Sequence, residues 1–89
     1  MVNARITLLT RSGCHLCEFA REVVARVHAA TGAGWVEVDV DSDPDLARDY
    51  GGRVPVVLLD GAEHDHFRVD EERLRSALAA GPQPPAAGG

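Results

Sequence analysis

Apolar residues along this chain fall into two rhythms. Arg5-Ile6-Thr7-Leu8-Leu9-Thr10 is β-rich with apolar groups facing both ways, which predicts a strand in the middle of a sheet covered on both faces. From Cys14 to Thr31 the apolar positions Leu16, Ala20, Val23, Val27 and Ala30 recur at helical spacing, and Gly32 is the natural stop. Trp35 to Val40 alternates with period two, predicting a strand with Val36, Val38 and Val40 on one face and a polar opposite face. Asp43-Pro44 reads as an N-cap followed by Pro in the first turn of a short helix ending near Tyr50, before Gly51-Gly52. Val54 to Leu59 suits a buried strand, and Asp60-Gly61 signals a tight hairpin into a strand over about Glu63 to Phe67. A last helix starts at the acidic Asp70-Glu71-Glu72, turns Leu74, Ala77 and Leu78 inward, and ends at Gly81.

The predicted order is β-α-β-α-β-β-α, an α/β fold with a four-stranded mixed sheet and helices on both faces. The first strand-helix-strand unit requires a right-handed crossover between parallel strands, and the closing hairpin adds an antiparallel edge. Residues 1–81 form one domain on this reading, and the Pro/Gly/Ala-rich 82–89 are expected to be a disordered tail. A chain of 89 residues has material for one core.

Composition narrows the function. A net charge of -5, with Arg at all nine basic positions, disfavours nucleic acid as a partner. No apolar run is long enough for a membrane span, and the opening residues lack a signal-peptide core, so a cytoplasmic protein without membrane contact is expected. The two cysteines share one motif, Cys14-His15-Leu16-Cys17, which points to chemistry more than to stapling.

Two cysteines three positions apart at a helix start face the same way, and the first lies beside backbone N–H groups that have no helical partner. The positive end of the helix, with Arg11 and protonated His15 as tuning charges, favours sulfur as an anion at Cys14. Cys17, one turn in, lacks this help. An exposed Cys14 thiolate would attack a disulfide, and Cys17 would resolve the mixed disulfide by a second exchange. The competing use of a Cys-x-x-Cys is half of a zinc or iron-sulfur site, with His64 and His66 as the remaining ligands. Such a site wants four ligands, the two histidines are distant in sequence, and the site residues are therefore read as redox groups with no metal. Asp39, Asp41 and Asp43 imitate a calcium loop, but Pro44 stands where Gly is needed and Tyr50 where Glu is needed, so calcium is rejected.

At Thr10-Arg11-Ser12-Gly13-Cys14-His15-Leu16-Cys17, Val38-Asp39-Val40-Asp41, Tyr50-Gly51 and Val54-Pro55-Val56 the chain resembles the thioredoxin-fold superfamily, and within it the small glutaredoxin-like proteins. The resemblance spans roughly Arg5 to Ala80. It implies a disulfide oxidoreductase with Cys14 as nucleophile, Cys17 as resolving thiol and Pro55 as a cis-proline beside the site, needing no cofactor beyond its own dithiol. Val54, Pro55 and Arg53 are the expected substrate contacts, Val54 through its backbone and Arg53 with Arg11 as anion contacts. The expected partner is a disulfide-containing protein or a small thiol, glutathione or another, and the protein is expected to be a monomer. The chain departs from the better-known branches: neither Cys-Pro-Tyr-Cys nor Trp-Cys-Gly-Pro-Cys is present, and the later Gly-Gly-x-Asp segment of glutaredoxins is replaced by Asp60-Gly61-Ala62-Glu63.

Overall fold

The computed structural model describes residues 4–81; the expected tail over 82–89 and the first three residues lie outside them. Strand β1 (Ile6–Thr10) leads into helix α1 (His15–Thr31), then strand β2 (Trp35–Asp39), a 3-10 turn Val40–Ser42, helix α2 (Pro44–Tyr50), a second 3-10 turn Gly51–Arg53, the hairpin β3 (Val56–Leu59) and β4 (Ala62–His66), and helix α3 (Glu71–Ala79). The sheet order is β2-β1-β3-β4, with β1 parallel to β2 and antiparallel to β3, and β3 antiparallel to β4. β1 is central, as its two-sided apolar pattern requires.

Each face of the sheet carries its own core. Ile6, Leu8, Val57 and Leu59 pack against Ala20, Val24 and Val27 of α1 and Leu74 and Leu78 of α3. On the other face Leu9, Val40 and Val56 are buried, with Val38, Leu46, Tyr50, Val54 and Leu58 packed around them. The first layer is thicker because two helices cover it, and the second is closed only by α2 and its flanking turns.

Helix ends follow the sequence signals. Asp43 accepts from the Asp45 N–H at 2.8 Å, Asp70 accepts from the Arg73 N–H at 3.1 Å, and Gly32 ends α1 in the left-handed region, its N–H donating to the His28 carbonyl. The Asp60-Gly61 turn has positive φ at both residues, the geometry a two-residue hairpin needs.

Several details differ from the pattern reading. The buried stripe of α1 is Cys17, Ala20, Val24 and Val27, whereas Leu16 and Ala30 are exposed. Apolar residues occupy more than half the helix circumference here, and docking on the sheet selects the line one residue further on at Cys17 and Val24. β2 stops at Asp39, and Val40 reaches the core from the following turn. The supposedly polar face of β2 holds Trp35, which packs under the helices, while Val36 at the sheet edge is exposed. β3 begins at Val56, two residues later than expected, because the 3-10 turn over Gly51–Arg53 and Pro55 intervene. β4 is irregular: the pairing shifts between Val57 and Leu58, which leaves His64 as the extra residue of a bulge.

Candidate active site

β1 ends at Thr10, and Arg11 to Gly13 turn the chain into α1, closed by the Cys14 N–H donating to the Arg11 carbonyl at 3.3 Å. Gly13 adopts φ 78°, a conformation that glycine takes without a steric penalty. Cys14 is the N-cap of α1: its backbone is extended, and its Sγ accepts the Cys17 backbone N–H at 3.2 Å. The sulfur thus occupies the position where serine or aspartate oxygens usually satisfy a free helix N–H. An anion at this position also meets the positive end of the helix dipole.

The two thiols are unequal. Both are free, Cys14 half-buried and Cys17 only 1% exposed. Burial pushes the Cys17 thiol up to about 11, with its hydrogen bond to Cys14 adding to the rise, while a backbone hydrogen bond from Arg11 and the charge of Arg21 work the other way. Cys17 therefore stays protonated at neutral pH, tucked behind an accessible partner.

The remaining predicted residues fall into three groups. His15 is 93% exposed and leans toward Glu18 at 3.7 Å, on the solvent side of the motif. Arg11 forks onto Asp41, Nε to Oδ2 at 3.0 Å and an outer nitrogen to Oδ1 at 2.9 Å, and donates to the Gly51 carbonyl at 3.2 Å. This pair holds the Asp41 carboxyl below the usual carboxylate range. A Cβ on Gly51 would stand 2.9 Å from the Arg11 guanidinium, so glycine is needed there for the arginine to seat. Arg53 pairs with Glu63 at 2.9 Å and lies over the Tyr50 ring. Both arginines thus already hold carboxylates. Val54 is extended, and the Val54–Pro55 peptide bond is cis. Because Val56 pairs with Leu9, Pro55 sits at the end of the sheet from which the Cys14 loop departs.

The stretch Asp60-Gly61-Ala62-Glu63, where the chain departs from the glutaredoxin segment, lies away from the cysteines. Leu59 pairs with Ile6, so the Asp60-Gly61 turn lies at the opposite end of the sheet from Cys14. The loop that reaches the cysteine end is Phe67–Val69. Phe67 has φ 58°, unusual for a bulky residue, and its N–H donates to the Pro55 carbonyl at 2.9 Å. Phe67, Arg68 and Val69 form one wall of an apolar cleft of about 330 Å³ whose other wall is Leu16, Phe19 and Val23 of α1. Sequence reasoning assigned Leu16 to the core and missed this cleft; the signal for it is the surplus of apolar residues on α1.

A polar cluster behind the cysteines was also missed. Arg21 donates two 2.7 Å bonds to Glu37 on β2, and Thr10 donates to the same carboxylate at 3.0 Å. As for a metal, no group of three or more His, Cys, Asp or Glu side chains among the described residues is gathered so as to hold one, and His66 leans on Glu63.

Comparison with known proteins agrees with this geometry. Residues 5–79 match the family model described as Glutaredoxin-like domain (DUF836). An uncharacterised protein of Mycobacterium tuberculosis is 40% identical over 84 residues, covering 89% of this chain and 87% of its own. Among solved structures, a structural-genomics target protein from X. campestris superposes with a TM-score of 0.71 at 36% identity, covering 86% of this chain and 99% of that one. A mutant thioredoxin from Halobacterium salinarum superposes with a TM-score of 0.62 at 25% identity, covering 94% of this chain and 80% of that one. The thioredoxin-like neighbours support a redox-type role, and among the described residues no helix is long and apolar enough to cross a membrane. The chain belongs to the glutaredoxin-like domain family and has the thioredoxin fold.

Proposed function

We propose that this protein is a thiol-disulfide oxidoreductase in which Cys14 attacks and Cys17 resolves. The single observation that carries this reading is the inequality of the two sulfurs: Cys14 caps the helix and is accessible, and Cys17 is 1% exposed behind it. In the first step the Cys14 thiolate attacks one sulfur of a substrate disulfide, forming the mixed disulfide and releasing the other sulfur as a thiolate. In the second, Cys17 loses its proton to solvent and attacks Cys14 Sγ, closing the Cys14–Cys17 disulfide and releasing the second substrate thiolate. The substrate gains two electrons, and the dithiol loses them. No cofactor beyond the dithiol takes part.

The substrate is a disulfide-containing protein or a low-molecular-weight thiol in its oxidised form, glutathione or another, met by a monomer in a reducing cytoplasm. The extended backbone at Val54, beside Pro55, offers the main chain of an extended substrate a docking edge. Arg53 and Arg11 lie in the flanking segments as anion contacts, each reached by displacing its carboxylate partner.

Incubation of the reduced protein with oxidised glutathione, followed by intact mass measurement, tests the reading. The wild type should lose two hydrogens, Cys17→Ser should retain one covalently bound thiol, and Cys14→Ser should stay unmodified. A stable adduct on Cys17 in the Cys14→Ser variant, formed at the wild-type rate, would reverse the two roles.

A further inference from the structure

The resolving step poses a difficulty that the helix terminus does not solve. Cys17 must become a thiolate in order to attack, yet its sulfur is buried on the core-facing line of α1 with Ala20, Val24 and Val27. Burial without compensation disfavours the anion. Cys14, which faces the same N-terminal N–H groups, becomes a neutral disulfide sulfur once the first step is complete, so its own negative charge no longer opposes Cys17. A cation near Cys17 would supply the rest.

Arg21 stands at that place. It is four residues after Cys17, hence on the same helix face one turn on, and both residues line a cleft that also contains Cys14. A long arginine on a helix surface would ordinarily extend into water. Here two 2.7 Å bonds to Glu37 fix the guanidinium across the α1–β2 gap, and Thr10, buried at the end of β1, holds the Glu37 carboxylate from the other side. The bidentate fork makes the orientation of Arg21 a property of the fold instead of a rotamer average. The other charged or titratable groups that line the cleft with Cys17 are Arg11, Cys14, His15 and Glu18, while Glu37 and Asp39 of β2 line the adjoining cleft that shares Arg11 and Arg21 with it. Arg11 is tied to Asp41, and His15 points to solvent. Two influences ease the Cys17 anion, first the backbone hydrogen bond from Arg11 and then the charge of Arg21, and of these only Arg21 acts through a side chain.

We infer that Arg21, held by Glu37 and Thr10, makes Cys17 available as a thiolate in the resolving step, so that this polar network and not the helix terminus alone sets the rate of disulfide closure. The inference rests on the proposed exchange reaction and deepens it. Arg21 acts through Cys17 and is a positioning residue; Glu37 positions Arg21 in turn. Atoms balance as in the two-step scheme: the Cys17 proton leaves through the open cleft to water, the Cys14–substrate S–S bond breaks, the Cys14–Cys17 bond forms, and the substrate thiolate departs.

Dithiobis(nitrobenzoate) separates the steps, because each releases one coloured nitrothiobenzoate anion, the first on attack by Cys14 and the second on closure by Cys17. With Arg21→Gln the first phase should keep its rate and the second should slow by about threefold at pH 7. Losing the cation lowers the thiolate fraction, while the more basic sulfur regains part of the rate through greater nucleophilicity, so the net slowing is modest. The pH profile of the second phase should move to higher pH. Arg21→Lys, which keeps the charge, should restore most of the rate. A second phase with wild-type rate and pH profile in Arg21→Gln, or an Arg21→Lys variant as slow as Arg21→Gln, overturns the inference while leaving the exchange reaction standing. No first phase in the wild type would instead remove the exchange reaction itself. A general structural loss in Arg21→Gln would slow both phases together and leave the profile in place, which also counts against the inference.

Discussion

Arg5 enters β1 and Arg11 leaves it, and each guanidinium grips an aspartate through two parallel bonds while donating further to main-chain carbonyls. Arg5 bonds to Asp60 at 3.1 and 2.9 Å and to the Leu78 and Gly81 carbonyls at 3.3 and 3.0 Å. Arg11 bonds to Asp41 at 3.0 and 2.9 Å and to the Gly51 carbonyl at 3.2 Å. The Arg5 fork ties strand, hairpin turn and the end of α3 together with side chains 28% and 18% exposed, whereas the Arg11 fork lies at 40% and 51%, next to the cysteine loop. The same chemistry is a clamp at one end and an adjustable contact at the other, since a pair open to water is screened and readily exchanged. Stability and reactivity are thereby divided between opposite ends of one strand.

The largest break in that division is expected at Cys14. Cys14→Ser should abolish exchange, yet serine is a good N-cap, so thermal unfolding should shift by less than about 1 kcal/mol. A serine variant that unfolds far more easily than the wild type would mean that the sulfur is a structural element as well as a reagent.

Cys17 carries the next largest effect, through pH. Its thiol is pushed up to about 11, above the value of an unfolded chain near 9, so between those values the folded state holds a proton that the unfolded state has released. The associated stability is fully present below about pH 9 and is lost as pH rises toward 11, a decline of about 2 kcal/mol. Denaturant titrations across that range should show the decline for the reduced wild type, and the difference between wild type and Cys17→Ala should isolate it from other titrating groups. Equal slopes for the two proteins would place Cys17 in a less buried setting than the helix face implies.

At the far end, Arg5→Ala removes a part-buried hub of hydrogen bonds and should destabilise the fold by about 1 to 2 kcal/mol, with exchange rates unchanged where the protein remains folded. Urea unfolding monitored by Trp35 fluorescence gives the first quantity and the nitrobenzoate assay the second. A slowed exchange in Arg5→Ala would break the division, because nothing at that end touches the cysteine loop.

How far the sequence discloses these ends depends on how local the interactions are. The Asp43 cap, the acidic helix start at Asp70, the Gly32 stop and the Asp60-Gly61 turn are set by neighbours in the chain, and each appears where its local pattern predicts. The Cys14/Cys17 motif at a helix start is equally local. Pairings such as Arg5–Asp60 and Arg21–Glu37 join residues 55 and 16 positions apart, and they require the sheet register before either partner has a meaning. Glu37 did leave a trace: a carboxylate beside Trp35 on a strand face covered by helices needs a partner, and period-two reading treated that face as solvated. The phase of α1 was lost for a different reason. Leu16, Phe19, Ala20, Val23, Val24 and Val27 fit more than one apolar line, and only packing against β1 and β3 decides that Leu16 and Phe19 face the Phe67 cleft.

The smallest effect tests the adjustable contact itself. Arg11 is proposed to meet a substrate anion, and at present its fork is filled by Asp41. Asp41→Asn keeps the shape but removes the competing charge, so Arg11 should serve an anionic disulfide better; Arg11→Gln removes the cation and should serve it worse. With dithiobis(nitrobenzoate), whose two carboxylates make it a suitable probe, the first-phase rate should rise about twofold in the former and fall about twofold in the latter at low salt. Both changes should shrink at 0.5 M salt (about 4 Å of screening length), and both should vanish with an uncharged disulfide. Melting temperatures of the two variants should stay with the wild type, because the pair lies in water. Opposite signs for the two variants tie the effect to the charge near Cys14, whereas equal losses in both would show that the Arg11–Asp41 fork holds the loop in shape, making it a second clamp like the one at Arg5.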